Sequence, residues 1–107
     1  MTDLDGATLS DDLQLTGRIS FANARTVRDA GCRLIDARLA AQANADDPIV
    51  VDVAGLSYVS SITVAVLTAW YRHARLAGAH FEVAGGSDKL GRIIAFSGLE
   101  PVLGHQA

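Results

Sequence analysis

Leu9, Leu13 and Leu15 all fall on odd positions, with Ser10-Asp11-Asp12 between the first two. Side chains two apart share one face of a strand, so this stretch predicts a short hairpin with an acidic turn, its second strand ending at Gly17. The period then changes. From Asn23 onward, Val27, Ala30, Gly31, Leu34 and Ile35 recur at helical spacing. Arg25/Asp29 and Asp29/Arg33 are opposite charges four apart, which supports a helix reaching about Gln42. Asn44-Ala45-Asp46-Asp47-Pro48 reads as its exit loop.

Ile49-Val50-Val51-Asp52-Val53 is a β-branched run between Pro48 and Gly55, the pattern of a strand buried on both faces. After a tight loop, a second helix is expected from Ser61 to about Ala77, stopped by Gly78. His80-Phe81-Glu82-Val83-Ala84 reads as the next strand. Ser87 suits the N-cap of a third helix carrying Leu90, Ile93 and Ile94 and closed by Gly98. Leu99, Pro101, Val102 and Leu103 form an apolar tail expected to pack back on the domain. The order β-β-α-β-α-β-α predicts an α/β fold with a mixed sheet, right-handed crossovers laying the helices mainly on one side.

Length and composition narrow the function. The 107 residues suit one domain over 1–107, with a core from about 9 to 103. Half of them are hydrophobic and 20% are charged, too apolar for a disordered chain. A formal net charge of -3, with the nine Lys and Arg scattered, argues against a nucleic-acid partner. Cys32 is the only cysteine, so no internal disulfide forms, and a reducing, cytoplasmic location is expected. Inside a helical pattern it reads as a small apolar side chain rather than a nucleophile. Met1-Thr2-Asp3-Leu4-Asp5-Gly6 lacks the basic and apolar regions of a signal peptide. The longest apolar stretch, Val64 to Tyr71 and broken at Thr68, falls far below the roughly 20 residues of a membrane span, so direct membrane insertion is not expected.

Catalytic constellations are missing from the pattern. His73, His80 and His105 sit at no ligand spacing, and one cysteine cannot complete a zinc site. Gly85-Gly86-Ser87-Asp88-Lys89-Leu90-Gly91 lacks the Gly-Lys-Ser/Thr ending of a phosphate loop and the spacing of a dinucleotide fingerprint. It reads as a strand-to-helix turn. No Gly-x-Ser-x-Gly elbow occurs. A binding module, without cofactor or metal, is the reading that remains.

The second helix carries that reading. At roughly 100° per residue, Ile62, Val66, Leu67, Ala69, Trp70, Tyr71 and Ala74 share one broad arc. Ser61, Thr68, Arg72 and Arg75 fall in a narrow stripe opposite, with Ala65 among them. Most of the girth is therefore expected in the core, and the stripe in water.

From Asp52 to Leu67 the chain resembles, without gaps, the central signature of STAS domains: Asp52, Gly55, Leu56, Tyr58 and Val59, then Ser61, Val64 and Leu67. Ile93-Ile94-Ala95-Phe96-Ser97-Gly98-Leu99-Glu100-Pro101-Val102-Leu103 resembles the family's last helix and its Gly-Leu exit. The resemblance implies the STAS (SpoIIAA-like) fold. It also implies one of two roles. In MlaB-like STAS subunits the domain sits on the cytosolic ATPase (MlaF-like) of a phospholipid ABC transporter of the Mla type, which maintains outer-membrane lipid asymmetry. In anti-sigma factor antagonists it binds an anti-sigma kinase and is switched by phosphorylation of a serine at the head of the second helix. Ser61 aligns with that serine, or with MlaB's threonine. Ser60, Ile62 and Thr63 depart from the usual Asp, Ser or Gly, and Gly; a β-branched pair stiffens the loop a kinase would read and favours the MlaB-like role. Ser61 also suits a plain helix N-cap, with Ser57 and Ser60 competing for that place. Ser61, Thr68, Arg72 and Arg75 are thus the candidate partner-binding residues, and Ser61 the candidate phosphorylation site.

Overall fold

The computed structural model describes residues 2–3, 6–41, 47–85 and 105–106. Three strands come first: β1 (Thr2–Asp3), β2 (Ala7–Leu9) and β3 (Gln14–Arg18), paired antiparallel in turn. The turn between β2 and β3 closes on itself. The Ser10 carbonyl accepts from Leu13 N–H at 3.0 Å, and the Ser10 hydroxyl accepts from Gln14 N–H at 3.1 Å. Leu13 takes a left-handed φ of 59°, unusual for a leucine. Its environment holds it there: the side chain is fully buried, and its carbonyl accepts from Asp52 N–H at 2.9 Å.

Next come α1 (Ala24–Ala41), β4 (Ile49–Tyr58), α2 (Ser61–Leu76), β5 (Phe81–Ala84) and β6 (His105–Gln106). The sheet runs β1-β2-β3-β4-β5-β6, and β3 through β6 are parallel. Parallel neighbours cannot be joined by a hairpin; α1 is the crossover from β3 to β4 and α2 the crossover from β4 to β5. The mixed α/β sheet agrees with the expectation. The third helix expected from Ser87 to Gly98, and the tail behind it, lie outside the described residues.

Four local expectations need correction. β4 is buried on one face only: Ile49, Val51 and Val53 are buried, Asp52 is half-buried, and Val50 is 38% exposed. Among the described residues only one face of β4 carries buried side chains, so a β-branched run here signals strand preference and not two buried faces. β4 also does not end in a tight loop at Gly55 but continues to Tyr58, with Thr16 opposite Gly55, Gly17 opposite Leu56 and Arg18 opposite Tyr58. Gly55 permits this, because a Cβ built there would overlap the Thr16 methyl. Gly17 does not end β3 either; at φ 86° it sits at a register shift within the strand. The expected pairs of Asp29 with Arg25 and Arg33 give way to a contact with its neighbour Arg28 at 3.2 Å.

The core lies between sheet and helices, and Trp70 is its largest fully buried side chain. Its indole lies over Gly31, where any Cβ would overlap the ring. Its Nε1–H donates to the Arg28 carbonyl oxygen at 2.9 Å, so the buried polar end of the ring has a partner. Further along, His73 Nε2 meets Asp36 Oδ1 at 2.7 Å, a second link between the two helices. Gly78, at φ 81°, turns the chain out of α2 as expected.

The Gly31–Trp70 contact yields a test. Trp70→Ala should cost roughly 3–5 kcal/mol, as emptying a large aromatic site does. Gly31→Ala should cost about 1–3 kcal/mol by overpacking. The two changes together should cost less than their sum, since the smaller residue at 70 makes room for the added methyl. Urea unfolding of the three variants measures this; strict additivity would show that the two residues do not share one space.

Candidate partner-binding surface

The end of β4 sets the start of α2. Ser57 Oγ donates to the Gly17 carbonyl at 3.1 Å, and Arg18 lies over the Tyr58 ring, 4.7 Å from its centroid. Both contacts hold the strand's last residues to β3. Asp52 Oδ1 accepts from Ala54 N–H at 2.9 Å, steadying the backbone on the way. Only Val59 and Ser60 then remain before the helix, and Val59 is buried.

Ser60, with an extended backbone, is the N-cap of α2. Its hydroxyl accepts from Ile62 N–H at 3.2 Å, and Thr63 Oγ1 accepts from Ser60 N–H at 3.1 Å. This is a capping box with threonine in the place usually held by Glu or Gln. Thr63 is fully buried, so its hydroxyl closes the box from inside the core. The capping reading of Ser61 is therefore corrected: Ser61 is the first helical residue, exposed, and its hydroxyl makes no bond among the described residues. The Ser60-x-x-Thr63 spacing was the sequence signal for this, hidden by three neighbouring serines.

The helix divides as its wheel implies. Thr63, Val64, Val66, Leu67, Trp70 and Ala74 are buried. Ser61, Ala65, Arg72 and Arg75 are exposed, and Thr68 beside them is half-buried. The four candidate residues thus share one outward strip. They are not equal on it. Thr68 donates its hydroxyl to the Val64 carbonyl at 2.8 Å, so that donor is spent inside the helix. Arg72 and Arg75 have no ion pair among the described residues, and the whole of α2 contains no Asp or Glu. Ile62, Ala69 and Tyr71, expected in the core arc, are only half-buried and border the strip. Leu76 at its far end is 90% exposed.

One residue was not foreseen. Phe21 is 91% exposed, in the turn between β3 and α1. Buried Asn23 builds that turn: its Oδ1 accepts from Ser20 N–H at 2.8 Å and its Nδ2 donates to the Arg18 carbonyl at 2.9 Å. Phe21 borders an open groove of about 380 Å³ between the start of α1 and the first half of α2. An aromatic residue in a polar turn is the one sequence sign it left.

None of these residues forms a reactive set. Burial pushes the Cys32 thiol up, and the Asp29 and Asp36 carboxylates add to this, so it is a poor nucleophile at neutral pH. No group of three His, Cys, Asp or Glu side chains able to hold a metal occurs among the described residues.

What the geometry offers is a helix face, capped by a buried network and held in place by the core. A protein-family model described as "Mlab, STAS domain" matches residues 3–104. The chain belongs to the STAS domain family. A search of curated proteins found no match. STAS domains are generally non-catalytic, and the mixed sheet with its two described helices is consistent with their fold.

Capping separates the two serines of this STAS domain. Ser60→Ala should lower stability by about 1 kcal/mol through loss of the cap, whereas Ser61→Ala should leave it within about 0.5 kcal/mol, as a surface change does. Chemical denaturation decides between them, and a reversed order would return the cap to Ser61.

Proposed function

We propose that this STAS domain is a non-catalytic subunit that docks through α2 onto the cytosolic ATPase of an Mla-type phospholipid ABC transporter. The observation that carries the proposal is the outward strip of α2, Ser61 to Arg75, cationic at its far end and lacking acids, on a helix whose other side is locked into the core. The family description, which names Mlab, supports this choice of partner. Docking on a rigid helix loses little conformational freedom, which favours a stable assembly over a fleeting one. The domain would act by stabilising the ATPase fold or dimer, and nucleotide chemistry would belong to the partner. No helix among the described residues is long and apolar enough to cross a membrane, so association with the inner membrane would run through the ATPase.

A second reading rests on a separate observation. The Ser61 hydroxyl is exposed at the N-terminal end of α2, where the helix dipole favours negative charge. A kinase acting on it would make the domain an anti-sigma factor antagonist, with an anti-sigma kinase as partner. In either role a phosphate on Ser61 adds about two negative charges to the docking strip, by its ordinary ionisation.

Pull-down from the cells that make the protein separates the readings: a membrane-associated ATPase is expected, and a soluble kinase in its place would overturn the transporter role. Arg72→Glu and Arg75→Glu should keep Tm within a few degrees, since exposed charges add little to stability. Both should nevertheless weaken capture, because a reversed charge meets groups arranged for a cation. Ser61→Glu should weaken it more than Ser61→Ala. Normal capture by all of these variants, with normal melts, would move the docking face elsewhere.

A further inference from the structure

We infer that the groove between the start of α1 and the first half of α2 seats a helix of the partner protein, apolar along one side and carrying carboxylates on its flank. The inference rests on α2 being the docking face, and adds the chemistry of what lies beside it.

The shape of the groove comes first. Its lining includes Ala24, Ala65 and Ala69, small side chains that let a helix backbone approach closely. Phe21 stands at its lip, 91% exposed, although burying an aromatic ring is worth more than burying almost any other side chain. Two hydrogen bonds from Asn23 build its turn, so the ring's place at the lip is not an accident of a loose loop. An aromatic ring beside a lining of small apolar side chains is the arrangement from which interface anchors are made.

Charge then selects the occupant. Arg25 and Arg28 border the groove from α1, and Arg72 and Arg75 continue along the α2 face. Arg28 contacts Asp29, while Arg25 makes no ion pair among the described residues. The chain as a whole carries a net charge of -3, so this concentration of arginine on one side does not follow from composition. A partner surface with carboxylates complements it, and Arg binds them with two parallel hydrogen bonds. The groove lies between two helices and presents no strand edge, which suits a third helix rather than an added strand.

The test is photocrosslinking in the cells that make the protein, with p-benzoylphenylalanine placed at Phe21 and, separately, at Arg72. The variant at Phe21 should crosslink to the same protein as the variant at Arg72. The peptide it captures should carry apolar residues at helical spacing with Asp or Glu on their flank. Phe21→Ala and Arg25→Glu should each lower affinity for the captured protein by roughly tenfold, with melts unchanged. Changing the crosslinked carboxylate of the partner to lysine should restore binding of Arg25→Glu. Several outcomes would overturn the groove: no crosslink from position 21, a peptide without carboxylates, a crosslink to lipid or to a second copy of this chain, or full affinity in both variants. Whether the captured protein is an ATPase or a kinase decides the proposed function instead, and leaves the groove as it stands.

Discussion

Trp70 lying over Gly31 is the contact on which the rest of the architecture depends. The indole fills the space between the two helices only because α1 has no side chain at that point. Its nitrogen finds a partner in the Arg28 carbonyl, so the buried ring carries no unsatisfied donor. One side chain thereby fixes the distance between α1 and α2 and their position along one another. The His73–Asp36 contact further along restrains the same pair more weakly, being partly exposed to water.

That packing also explains why the surface has the form it has. With Trp70, Leu67 and Ala74 drawn into the core, helical geometry turns Ser61, Ala65, Arg72 and Arg75 outward. The capping box fixes the other end: Ser60 and buried Thr63 hold the first turn, leaving the Ser61 hydroxyl to water. The groove beside Phe21 exists because the same helix contact brings the start of α1 alongside the first half of α2. Core and outward strip are two sides of one constraint.

Electrostatics supplies what packing does not. An acidic chain that keeps every acid off one helix presents a local field opposite to its net charge. Such a face speeds encounter with a complementary surface and disfavours partners of like charge. This fits the proposed docking role, in a family whose members are generally non-catalytic.

Much of this was legible before any fold was known. The hairpin around Ser10-Asp11-Asp12, the two helices, the buried Trp70 and the strip from Ser61 to Arg75 follow from periods of two and 3.6 residues, which backbone geometry imposes locally. The signature from Asp52 to Leu67 carried the family for the same reason, since its spacing survives in a single segment. Other features depended on partners distant in sequence. The choice of Ser60 over Ser61 as cap follows from β4 pairing with β3 as far as Tyr58, which the contact of Gly55 with Thr16 permits. The one-sided burial of β4 depends on which face the helices cover, and a run of valines is the same in either case. The exposure of Phe21 rests on hydrogen bonds that buried Asn23 makes to Ser20 and Arg18, and the groove on two helices that are neighbours only in space. Local periodicity therefore determined the elements and the outward strip. The tertiary structure decided where strand gives way to helix and what stands beside the strip, because both are settled by contacts between segments far apart in the chain.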